Sequence, residues 1–154
     1  SGFFQHGHTY LGHPVACATA LAVLQVFSEE KVLDTVKDKS EFFFESLHQA
    51  LGEHPHVGDI RGRGLFLGIE LVQEKRKKEP FSPSKKLHSV IKATALRNGL
   101  MCYPMGGTID GQLGDHVLLA PPLVISNQEI DQAVAIFTTS LNQAIRDTQA
   151  IQDS

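Results

Sequence analysis

The sequence predicts an α+β fold, with elements in the order α-α-β-β-α-β-β-α. Three observations predict it. Apolar residues recur at helical spacing in four long stretches, short apolar runs punctuated by Gly and Pro lie between the later ones, and one stretch carries a complete helix-start signal. At 154 residues, 42% of them apolar, the chain can bury a sizeable core.

The first helix is expected over 14–27. Pro14 suits the opening turn, where a missing N–H costs nothing, and Val15, Leu21, Val23, Leu24 and Phe27 make the segment apolar on nearly every side. Such a helix needs cover all round, more than the rest of so short a chain is expected to supply. Ser28 can cap a second helix running to about Leu51, with Val32/Leu33, Val36, Phe43/Phe44, Leu47 and Leu51 as its stripe and Gly52 as a left-handed terminator.

In "HPHVGDIRGRGLFLGIELV", Gly58, Gly62 and Gly64 punctuate two strands. The second, Leu65–Val72, is apolar on both faces and expected to be central. The polar stretch Gln73–Pro83 is a loop, and a third helix follows over about 84–98 with Leu87, Val90/Ile91 and Thr94/Ala95 inward. "LMCYP" at 100–104 and "HVLLAPP" from His116 read as strands around a glycine-rich loop, 105–115. Ser126 and Glu129 form a capping box for the last helix, whose stripe is Ile130, Val134, Phe137, Leu141 and Ile145.

Net charge is −3 and the pI about 6.2, which gives no basic field for nucleic acid. "EKRKKEP" at Glu74–Pro80 reads as a solvated loop, and no uncharged apolar run is long enough for a membrane span. Cys17 and Cys102 match no disulfide framework or metal finger; buried structural thiols in a reducing, cytoplasmic compartment are expected. The chain opens on "SGFFQ" with no initiator Met, and is expected to be part of a longer protein.

Chemistry concentrates in "FFQHGHTYLGHPVACATALAVL". His6, His8, His13 and Cys17 match no zinc signature, and no carboxylate stands nearby, so no metal is assigned. No nucleophile elbow is present, and Gly62, Gly64 and Gly68 of "RGRGLFLG" lead into a strand rather than the helix a dinucleotide needs. The glycine-punctuated turn before the first helix, with the Thr9 hydroxyl, suits a phosphate. On these residues alone a plain surface turn, tied off by Thr9 with the histidines in water, is the favoured reading.

"HGHTYLGHPVACATALAVL" resembles the segment that follows the active-site lysine of class III (omega- and ornithine-type) aminotransferases. "VGDIRGRGLFLGIELV" resembles the opening strands of their C-terminal domain, and "GDHVLLAPPLVISNQEID" the strand-turn-helix near their C-terminus. The resemblance covers essentially the whole chain. It implies the C-terminal portion of a pyridoxal phosphate (PLP) enzyme of fold type I. Residues 1–28 would belong to or link to the large PLP-binding domain, and 29–154 would form the small domain. It implies a homodimer that exchanges an amino group, by a ping-pong mechanism, between an amine, omega-amino acid or amino acid and a 2-oxo acid.

Carried over, binding of the partner subunit's cofactor phosphate falls on Thr9, with the backbone at His8 and Tyr10 as helpers. The catalytic lysine would precede Ser1, so this chain alone is expected to be inactive. Where ornithine-type relatives have an arginine that grips the substrate α-carboxylate, this chain has Leu118, which leans toward the broader omega-aminotransferase group. The loop 105–115 is a candidate wall of the substrate entrance. The alternative is a non-enzymatic α+β dimerisation or binding module without cofactor.

Overall fold

A computed structural model describes residues 2–150. They form two compact units that part between Thr35 and Val36.

In the first unit, α1 spans Pro14–Glu29 and has Pro at its first turn, as expected. It buries none of its residues; Leu21, for example, is 68% exposed. An all-apolar surface is a demand for cover on all sides, and, as expected of so short a chain, the described residues do not supply it. The boundary with α2 (Val32–Leu51) is corrected. Ser28 lies inside α1, and the chain turns instead at Lys31, whose φ is +49°.

The second unit carries β1 (Val57–Arg63), β2 (Phe66–Leu71), α3 (Leu87–Arg97), β3 (Tyr103–Gly106), β4 (Asp115–Leu119) and α4 (Asn127–Ala150). A single turn of 3₁₀ helix, Pro83–Lys85, precedes α3. The strands form one antiparallel sheet in the order β1-β2-β4-β3, so β2 is central. It is not apolar on both faces, however. Leu67, Ile69 and Leu71 point into the core, whereas Phe66, Gly68 and Glu70 alternate outward and Phe66 is 57% exposed.

The core joins these inward residues to Val117 and Leu119 of β4, Phe43, Leu47 and Leu51 of α2, Leu87 and Ile91 of α3, and Ile130, Phe137 and Leu141 of α4. The predicted stripe of α4 is buried at every position, and its capping box forms. Ser126 N donates to Glu129 Oε2 at 2.8 Å, and Glu129 N donates back to Ser126 Oγ at 3.3 Å. Outward from the sheet lie Arg61, Phe66, Gly68, Leu118, Tyr103 and Met105; Tyr103 is 59% exposed. Helices therefore line one face of the sheet and leave the other open.

Candidate functional site

The segment before α1 is built from two consecutive turns. Leu11 N donates to His8 O and His13 N to Tyr10 O, both at 3.0 Å. They require left-handed backbone at Tyr10 (φ +66°) and Gly12 (φ +71°). For a tyrosine that conformation costs about 1 kcal/mol or more. Thr9 sits at the first turn, exposed, and its hydroxyl has no hydrogen-bond partner among the described residues.

The histidines divide between roles. The His6 and His8 rings meet edge to face with centroids 4.8 Å apart, and the His13 ring meets Tyr10 at 5.6 Å. His13 caps α1: its Nδ1 accepts from Ala16 N across a long 3.4 Å. Among the described residues no group of three or more His, Cys, Asp or Glu side chains is placed to hold a metal. Cys17 is exposed rather than buried, because α1 is uncovered; Cys102 is half-buried, and burial pushes its thiol up to about 11. Cys102 is therefore not a poised thiolate.

In the second unit, the loop after β3 is closed by Ile109 N to Leu113 O (2.9 Å) and Gly111 N to Gly107 O (3.0 Å), and Asp110 Oδ1 accepts from Gln112 N and Leu113 N. Its base is fixed by Asp115, which is buried and lies 2.7 Å from His88 Nδ1. The His88 ring occupies the space a Cβ on Gly106 would need. Thr108 and Ile109 of this loop, with Leu118, His116, Phe66 and Arg61, line a cavity of about 360 Å³ on the open face of the sheet. Leu118 thus faces a cavity. Arg61, His116 and Thr108 were not singled out from sequence. Their only signal is Gly68, bare in an otherwise apolar strand, and its meaning depends on strand register.

The family profile described as aminotransferase class-III matches residues 2–141. The chain belongs to the class III aminotransferases. This aminotransferase chain is 40% identical over 145 residues to an uncharacterized aminotransferase of Schizosaccharomyces pombe, covering 94% of this chain and 31% of that protein. It is 36% identical over 142 residues to the putrescine–pyruvate aminotransferase of Pseudomonas aeruginosa, covering 92% of this chain and 29% of that one. A PLP-bound aminotransferase mutant from Vibrio fluvialis superposes with a TM-score of 0.82 at 30% identity, over 94% of this chain and 30% of that chain. The chain thus spans about a third of the length of these relatives. The α+β architecture is that of a piece of a PLP transaminase. Among the described residues no helix is long and apolar enough to cross a membrane.

Proposed function

We propose that this chain works within a PLP-dependent aminotransferase, a homodimer that moves an amino group between an amine, omega-amino acid or amino acid and a 2-oxo acid by ping-pong exchange. Membership of the family supports transamination, and a PLP-bound transaminase is among its structural neighbours. One observation carries the residue assignment: Thr9 presents an exposed, unpartnered hydroxyl on a turn whose next residue, Tyr10, is held left-handed.

This fits a phosphate, which takes hydroxyl and backbone N–H donors. Thr9 would hold the phosphate of the partner subunit's cofactor, and the His8 and Tyr10 backbone would orient the turn. When bound, PLP supplies the electron sink for the exchange. In this chain Thr9 supplies position and a hydrogen bond.

The lysine that carries the cofactor is assigned outside this chain. Lys39 Nζ donates to Leu123 O at 3.1 Å, Lys75 Nζ to Gly52 O, and Lys78 pairs with Glu70 at 3.3 Å. These amines tether the surface and are not enclosed in a pocket as a cofactor-carrying lysine would be. These 154 residues by themselves would then be inactive. Leu118 offers no bidentate grip on an α-carboxylate, which favours amines and omega-amino acids as donors.

The test is PLP titration of the full-length protein by absorbance. Thr9→Ala is expected to weaken cofactor affinity about tenfold or more, the equivalent of one lost charge-assisted hydrogen bond, with Thr9→Ser near wild type. Unchanged affinity in Thr9→Ala removes Thr9 from the site. Absence of PLP binding in the wild type favours the non-enzymatic module.

A further inference from the structure

Asn98 closes α3, and the residue after it is a glycine. Asn127 and Asn142, the other asparagines of the sequence, each precede Gln. An Asn–Gly step carries its own chemistry, because the glycine amide nitrogen can attack the asparagine Cγ. With no side chain on Gly99 nothing crowds the approach: a Cβ there would find no atom within 4 Å beyond its chain neighbours. Both residues are exposed, so water reaches the step.

The fold holds this chemistry off in three ways. Ring closure needs Asn98 Cβ and Gly99 N eclipsed about the Cα–C bond. Asn98 instead has ψ 1°, which eclipses Gly99 N with the asparagine's own backbone N. Gly99 N also donates to Leu96 O at 3.1 Å, so the proton that must leave is engaged. Finally, Asn98 Nδ2 donates to Ser140 Oγ at 2.9 Å, and the buried Ser140 donates its hydroxyl to Ile136 O at 2.7 Å. The carboxamide is thereby tied to α4. All three restraints belong to one turn, which Leu100 N closes by donating to Ala95 O at 2.8 Å. They are released together when that turn opens.

We propose that Asn98 is a site of spontaneous deamidation, gated by local opening of the α3 C-terminus and guarded by Ser140. In the open turn Gly99 N gives its proton to solvent and attacks Asn98 Cγ. The N–Cγ bond forms, the Cγ–Nδ2 bond breaks, and ammonia leaves a cyclic imide. Water then opens the imide at either carbonyl, giving aspartate or isoaspartate with no change of oxidation state. Either product sets a carboxylate at the negative end of α3 and removes the donor to Ser140. Isoaspartate also inserts an extra backbone carbon ahead of β3. The modification needs neither cofactor nor substrate, so it is independent of the proposed transamination.

The test is incubation of the full-length protein at mildly alkaline pH, with peptide mass spectrometry scoring exchange of NH2 for OH at each asparagine. In urea, Asn98 is expected to convert well ahead of Asn127 and Asn142. In the folded wild type Asn98 is expected to convert slowly. Ser140→Ala is expected to convert about 2- to 10-fold faster than that, the effect of one lost hydrogen bond on local opening. Ser126→Ala, which uncaps the start of α4 without touching Asn98, is expected to keep the wild-type rate. Several results overturn the proposal: Asn98 no faster than the other two in urea, folded protein as fast as unfolded, an unchanged rate in Ser140→Ala, or equal acceleration in both variants. If Ser140→Ala does not fold, hydrogen exchange at Gly99 N in the wild type decides. Exchange through an opening smaller than global unfolding supports the gate, and exchange by global unfolding alone overturns it.

Discussion

Gly62 and Gly64 look alike in "RGRG", yet they do different work. Gly64 has φ +59° and turns the chain between β1 and β2, with no atom closer than 3.9 Å to the position of a Cβ. Gly62 lies inside β1, where a Cβ would stand 2.2 Å from Phe66 O and 2.7 Å from Leu67 Cδ2. Gly62→Ala is therefore expected to destabilise the protein by about 1–3 kcal/mol or more through forced overpacking, measured as a lowered urea midpoint. Gly52 is a similar correction. It was expected in the left-handed region but is not there; instead a Cβ would meet His48 O at 2.5 Å. Sequence shows that a glycine is needed at such places. Whether the reason is torsion or space depends on a neighbour that only the fold brings close. The same holds elsewhere: the turn at Thr9 could be read because it is local, whereas Arg61 and His116 come to one cavity from strands that are far apart in the chain.

At the scale of elements, α4 was the most legible, since both its cap and its stripe are local patterns. Removing the cap is expected to be felt: Ser126→Ala should cost about 0.5–2 kcal/mol, read from chemical denaturation, because it strips a partner from both Glu129 N and the Glu129 carboxylate. β3 was less legible. Leu100–Pro104 is apolar enough to read as a strand, but pairing begins only at Tyr103, opposite Leu118. Leu100 N instead donates to Ala95 O and finishes the turn out of α3. Pro104 belongs in β3 because that strand is an edge of the sheet. α3 is entered by an unforeseen device: Lys86 takes φ +46° between the 3₁₀ turn and the helix. Ser84, the expected start, lies in that 3₁₀ turn.

At the scale of the whole molecule, acid sensitivity follows from one well-packed junction. His54 Nδ1 accepts from His56 N at 3.1 Å, and its Nε2 is 3.1 Å from Asn142 Oδ1, so the folded ring is neutral with both nitrogens used. Burial, then neighbouring positive groups, hold its pKa below 6.5 despite the Asn142 bond. The unfolded chain therefore takes up the proton first, and stability is lost as pH falls below about 6.5. A lower urea midpoint at about pH 5.5 than at about pH 7.5 is expected, and His54→Gln should shrink that difference. The element order and the central place of β2 could be read along the chain, but the strand order β1-β2-β4-β3 could not. That order also constrains how the molecule comes into being. β4, the last of these four strands in chain order, pairs on both sides, with β2 and with β3. Until it arrives, β1 and β2 can close as a local hairpin, but β3 has no strand to join. These four strands are thus completed from the middle of their order, by a slow, long-range closure once β1, β2 and β3 have all been made.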